Sequence, residues 1–200
     1  MAQEPSCTPP RPLTAEKFVN LFSTEIVSRK GRVPWVYASR KKFPGRSGPT
    51  ADAVAVVALV AGPDGPRLVL TREFRAPLEA YELAVPAGLI DAGETAAEAA
   101  VREFREETGM TLKRVVHVSP PTASSAGLTD ETVSLVYGEA EGPASAEYQT
   151  EFEDIEVKLA SLADLRRLLA NPGGDVFSSR IYPILIGYVS TGELTLPSPV

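Results

Sequence analysis

Apolar residues fall mostly into short runs interrupted by glycine and proline, a pattern that predicts strands. Val33 to Ser39 is rich in aromatic and β-branched residues and reads as a strand, with a short element before it at Phe18 to Ile26. Ala53 to Leu59 and Arg67 to Thr71 read as buried strands, and the intervening Gly62-Pro63-Asp64-Gly65 signals a hairpin turn. Val115 to Val118, Thr132 to Tyr137 and Ile155 to Leu159 are further strand candidates. Helical character begins near Glu94 and ends at Gly109, where a glycine cap is expected. Ser161 caps a predicted helix through Leu169, and Ile181 to Val189 forms a last one. Strands on both sides of a central helix, without internal repeats, indicate a mixed α/β layered fold.

Punctuation by proline and glycine divides the chain. Residues 1–13 carry four prolines and little apolar material, so a mobile tail is expected there. Residues 14–50 form an arm ending in the loop Pro44-Gly45-Arg46-Ser47-Gly48-Pro49, and residues 51–200 form the main domain.

Composition narrows the class. The longest apolar run, Ala53 to Gly62, is about half of the roughly 20 residues of a membrane-spanning helix, so no span is expected. Cys7 is the only cysteine, which excludes an intrachain disulfide framework and a multi-cysteine zinc site. Met1-Ala2-Gln3-Glu4-Pro5 lacks the basic and apolar parts of a signal peptide, so a cytoplasmic protein is expected. The net charge of −6 is uneven: seven basic residues and no acidic one lie between Arg29 and Arg46, leaving 13 Lys and Arg against 26 Asp and Glu elsewhere. Such an island is either a solvated basic surface or an attractor for a phosphate-bearing ligand, while the acidic remainder disfavours nucleic acid.

The chemistry concentrates between Gly88 and Met110. On a helix, Glu103, Glu106 and Glu107 project from nearly one face. Unneutralised, they repel; either Arg102 and Arg105 neutralise them on an ordinary solvated helix, or a hard divalent cation such as Mg²⁺ or Mn²⁺ occupies the face. Gly88, Glu94, Arg102, Glu103, Glu106, Glu107, Gly109 and the apolar Phe104 and Met110 match the signature G-x5-E-x7-R-E-U-x-E-E-x-G-U, where U is a bulky apolar residue. The chain therefore resembles the Nudix hydrolases. Phe104 is a small departure, since an aliphatic residue is commoner there.

That resemblance implies an α/β/α sandwich with a mixed β-sheet and hydrolysis of a nucleoside diphosphate linked to another moiety. It implies metal ligation by the Ala87 carbonyl, Glu103 and Glu107, often joined by Glu106, with Glu94 and Arg102 holding the glutamates in place. Two or three metals would bridge and polarise the pyrophosphate and activate the attacking water. The flanks Arg72-Glu73-Phe74-Arg75 and Tyr81-Glu82-Leu83-Ala84-Val85-Pro86-Ala87-Gly88 resemble the ADP-ribose and ADP-sugar pyrophosphatases, with Glu73 where glutamine is usual. By that likeness Arg75 contacts substrate phosphates and Glu82 belongs to the substrate site; the plainer alternative for Arg75 is a surface ion pair.

Trp35 and Arg40 have the spacing by which these enzymes sandwich an adenine, although a lone tryptophan also serves as packing. The likeness further implies a homodimer in which the N-terminal arm is swapped. For the catalytic base, Ser124 to Glu131 resembles a base-bearing loop and nominates Glu131, with Ala126 where proline is usual. Glu153, in Glu151-Phe152-Glu153, is the rival. His117 reads as a packed or surface histidine and Cys7 as inert. The alternatives are a Nudix hydrolase of another nucleotide sugar, NADH or an oxidised nucleotide, and a non-catalytic nucleotide-binding module.

Overall fold

A computed structural model describes residues 4–45, 50–149 and 154–197. In chain order its strands are β1 (Ser6–Cys7), β2 (Arg11–Pro12), β3 (Asn20–Ser28), β4 (Gly31–Ser39), β5 (Ala53–Val60), β6 (Arg67–Arg75), β7 (Ala80–Ala84), β8 (Ala87–Leu89), β9 (Thr111–Val118), β10 (Thr122–Ala123), β11 (Thr132–Glu141), β12 (Ile155–Ala160) and β13 (Val176–Phe177). The helices are α1 (Ala96–Thr108), α2 (Leu162–Ala170) and α3 (Tyr182–Thr191). The fold is mixed α/β. Two compact units divide the chain: Met1–Asp52 with Pro120–Val133, and Ala53–Ser119 with Ser134–Val200.

In the first unit, β3 and β4 form an antiparallel hairpin from Asn20↔Ser39 to Ser28↔Gly31. Alternation places Phe22, Thr24 and Ile26 on one face with Tyr37, Trp35 and Val33, their cross-strand partners. The expected mobile tail is corrected at residues 6–13. β1 and β2 pair with the other edge of β3, and Thr8 and Leu13 donate their N–H groups to the Glu25 and Leu21 carbonyls at 3.0 and 2.8 Å. The exposed edge of β3 offers these backbone partners, which composition does not reveal. Pro9 and Pro10, which lack N–H groups, fall in the gap between β1 and β2.

Residues 120–133 join this unit through specific bonds. Thr122 and Ala123 pair with Val133 and Thr132, and the Ala38 N–H donates to the Leu128 carbonyl at 2.8 Å. Asp52 accepts from the Thr132 N–H and hydroxyl at 2.9 and 3.0 Å and also binds Lys41.

In the second unit β5 is buried at every position, as a strand covered on both faces must be. It pairs with β6 through Leu59↔Leu68, across the expected turn, and with β8 through Ala55↔Ala87. β6 pairs with β7 and, on its other edge, with β12; β9 pairs with β11, and β13 adds a parallel partner to β7. α1 lays Ala99, Ala100 and Phe104 onto Val54, Val56, Ala58 and Val69. Two alanines permit close approach and Phe104 fills the space beside them. α2 and α3 pack together and bury Leu165, Leu185 and Tyr188. β7 and β8 were not expected from sequence. They are short and carry no long β-branched run.

Candidate active site

The end of β8 and the length of α1 carry the signature. Thr95 caps α1 reciprocally: its side chain accepts the Glu98 N–H at 3.2 Å, and Glu98 accepts the Thr95 N–H at 2.8 Å. Gly109 closes the helix at φ 70°, donating to the Arg105 carbonyl. A side chain there would also meet the Ser145 carbonyl at 2.6 Å, so this glycine is required twice over. Burial of Ala99, Ala100 and Phe104 turns the opposite part of α1 outward, with Arg102, Glu103 and Glu106 near the chain entering from β8.

Arg102 organises the cluster. Its Nε and Nη2 grip the two Glu94 oxygens at 2.9 and 2.8 Å, Nη2 also donates to the Leu89 carbonyl at 2.9 Å, and Nη1 donates to Glu103 at 2.8 Å and Glu106 at 3.1 Å. One planar fork thus ties three carboxylates to the carbonyl at the end of β8. The Arg102 hydrogen bond, helped by the Asp91 N–H, holds Glu94 down at about 2, far below the usual carboxylate range. The same carboxylate partners raise Arg102 above its ordinary value.

Glu103 lies where a side chain on residue 88 would displace it. A Cβ on Gly88 would come within 2.0–2.2 Å of its carboxylate atoms, so the glycine is a cradle for that group. Glu107 accepts the Ala87 N–H at 3.2 Å. Burial pushes its carboxyl up to about 8; the Ala87 hydrogen bond opposes this, Glu103 and Glu73 add to it, and Arg75 opposes it. Among the described residues, no three His, Cys, Asp or Glu side chains are placed to hold a metal ion together, and Glu103 and Glu106 are turned onto Arg102. The donor set itself fits a hard divalent cation: it is all oxygen, and it includes a carboxylate seated against a bare glycine backbone.

Arg75 bridges Glu82 at 2.9 Å and Glu73 at 2.8 Å. Glu73 and Glu82 are direct cross-strand partners, a like-charge pair that repels unless a cation intervenes. Arg75 stands two residues beyond Glu73 on the same face of β6 and supplies that cation. Glu73 was not nominated as a site residue, although its alternation with Arg75 was a signal.

The first unit holds the other nominated residues. Trp35 lies on β4 opposite Thr24 and is 39% exposed. Arg40 follows the end of β4 and donates to Glu131 at 3.3 Å. Glu131 is thereby engaged, and its N–H also takes a bond to the Thr129 hydroxyl at 3.2 Å. Glu153 lies outside the described residues. His117 faces Tyr137 across β9 and β11, ring centroids 6.0 Å apart, as a packed histidine would.

The NUDIX domain family model matches residues 51–181. "Putative nudix hydrolase 2" of Caenorhabditis elegans is 37% identical over 127 residues, covering 61% of this chain and 57% of that protein. "ADP-ribose pyrophosphatase" of Saccharomyces cerevisiae is 35% identical over 115 residues, covering 56% and 49%. The chain thus matches about half the length of these relatives. A crystal structure of an ADP compounds hydrolase superposes with a TM-score of 0.67 over 97% of this chain and 99% of that one, at 21% identity, which establishes likeness of fold.

Proposed function

The chain belongs to the NUDIX family, and on that premise we propose that it hydrolyses the pyrophosphate of ADP-ribose or a related ADP-sugar to AMP and a sugar phosphate. The observation that carries this reading is the signature cluster: Glu103 cradled on Gly88, Glu107 held on the Ala87 N–H, and Arg102 gripping Glu94 and Glu103. The substrate class is supported by the yeast relative named ADP-ribose pyrophosphatase.

Glu103, Glu106, Glu107 and the Ala87 carbonyl would hold Mg²⁺ or Mn²⁺. When bound, the metal supplies neutralisation of the pyrophosphate and activation of the attacking water. The remaining roles fall to the chain itself. Arg102, anchored by Glu94, keeps Glu103 and Glu106 oriented. Arg75 presents a guanidinium to substrate phosphate while Glu73 and Glu82 fix its direction. Trp35 and Arg40 engage the adenine and its flank, and Glu131 accepts the proton from the attacking water, with Glu153 as the alternative acceptor.

The arm also suits a swapped homodimer, because its face opposite Trp35 exposes Leu21 and Val36. A cytoplasmic location fits the cysteine-poor composition, and no described helix is long and apolar enough to cross a membrane.

Product analysis tests the reading. The purified protein with Mg²⁺ is offered ADP-ribose, ADP-glucose, NADH, GDP-mannose and an oxidised deoxynucleoside triphosphate. AMP and ribose 5-phosphate are expected from ADP-ribose, ahead of the other substrates. Faster cleavage of another substrate would replace the substrate assignment, and silence on all five with metal bound would leave a nucleotide-binding module.

A further inference from the structure

The strand pair that carries Arg75 has a second face. Opposite residues of an antiparallel pair share a face, so Glu73, Arg75 and Glu82 lie on one side of β6 and β7, while Arg72, Phe74, Tyr81 and Leu83 lie on the other. Glu73 and Arg75 both act on the ionisation of Glu107, which sets the first side beside the signature cluster. The second side carries no residue that the proposed chemistry uses.

Arg72 dominates that second side. Its Nε and Nη2 donate to the two Asp175 oxygens at 2.8 and 2.9 Å, a bidentate pair whose side chains are 25% and 14% exposed. Its guanidinium carbon lies 3.6 Å from the centroid of the Tyr81 ring. Nη1 lies 3.7 Å from Glu156, the cross-strand partner of Arg72 on β12. Asp175 immediately precedes β13, whose Val176 and Phe177 pair in parallel with Glu82 and Leu83. One side chain rooted on β6 therefore crosses β7 and ends at β13, and the three strands are neighbours in that order.

The first side shows what such a tie resists. Glu73 and Glu82 stand directly opposite one another, and Arg75 offsets their charge through Nη1 and Nε. A substrate phosphate brought to Arg75 competes for that guanidinium and adds negative charge beside both carboxylates. Repulsion then acts to part β7 from β6 at Glu82. β7 is five residues long and β13 two, so few backbone hydrogen bonds oppose the movement.

We propose that Arg72, Tyr81 and Asp175 form a transverse strap that holds Glu82 against Glu73 while substrate phosphate draws on Arg75, which makes Arg72 and Asp175 positioning residues for phosphate binding. The inference rests on the reading of Arg75 given above. Asp175→Asn keeps the shape of the side chain and removes the charge that completes the fork. With Mg²⁺ and ADP-ribose its KM should rise about tenfold while kcat is retained, a size within the range of coupled neighbouring residues. Glu73→Gln removes the like-charge pair that the strap opposes. The double variant Asp175→Asn/Glu73→Gln should therefore have a KM within about twofold of Glu73→Gln alone. A tie that merely supported the fold would be missed equally in both backgrounds.

Urea midpoints read the same coupling without substrate. Arg75→Met withdraws the guanidinium outright and leaves the facing glutamates to repel. In that background Asp175→Asn should lower the midpoint more than it does in the wild type, and Glu73→Gln should cancel the excess. Equal midpoint shifts with and without Arg75 would overturn the proposal, as would a KM increase that persists in full with Glu73→Gln. Failure of the wild type to hydrolyse ADP-ribose, with the midpoint coupling present, would defeat the substrate reading and leave the strap standing.

Discussion

Arg102 and Arg40 each hold glutamate, and they do so in different ways. Arg102 hydrogen-bonds three carboxylates and a carbonyl, all within 13 residues of it in sequence, and is largely shielded. Among the described residues Arg40 makes one ion pair, with Glu131 91 residues away, and its side chain is half exposed. Helical spacing and a short loop deliver the first cluster almost locally. The second exists only because Pro120–Val133 is bonded to the arm. Substitutions in the signature should therefore damage chemistry directly, whereas those in the arm should act on binding.

The sharpest way to break this contrast is Glu107→Gln. It removes a carboxylate from the proposed metal site without removing a core contact, so kcat should fall about a thousandfold or more with the melting temperature nearly kept. Near-normal turnover would dissociate the buried glutamate from the chemistry.

Gly88→Ala should come next. The added methyl meets the end of the Glu103 side chain, which can swing away, so the loss falls on carboxylate placement more than on folding. A roughly hundredfold drop in kcat is expected from such a displacement. Loss of stability with retained kcat in the folded fraction would mean that Gly88 serves the backbone alone.

Trp35→Ala should raise KM for ADP-ribose about tenfold and leave kcat within a small factor. An effect on kcat alone would erase the distinction between the two regions.

The smallest effect is a pH dependence. Glu94 is depressed from 4.5 to about 2 in the folded protein, so the stability it contributes is complete above its unfolded pKa and is lost as pH falls through the folded one. The urea midpoints of the wild type and Glu94→Gln should differ at neutral pH and converge towards pH 2. A gap independent of pH would show that Arg102 does not need the charge.

The sequence made much of this visible. The helix from Thr95 to Gly109, its caps and the shared face of Glu103, Glu106 and Glu107 follow from local periodicity. The strands around Ala53, Arg67 and Thr132 were visible for the same reason, and the structure extends each beyond its expected end. β7 and β8 were missed because their signal is short, and the N-terminal pairing was missed because Pro9 and Pro10 resemble a tail while Thr8 forms its bonds with Glu25, 17 residues on.

By itself, then, the sequence determined the family signature, the central helix and the carboxylate face, because each depends on residues within a few turns of one another. Only the tertiary structure decided that Glu107 is buried enough to resist ionisation, that Glu103 rests against Gly88, that Arg75 separates two facing glutamates, and that a proline-rich segment stands across β3 from Trp35. Burial and strand pairing depend on partners far away in sequence, and no local pattern specifies which edge a strand will find.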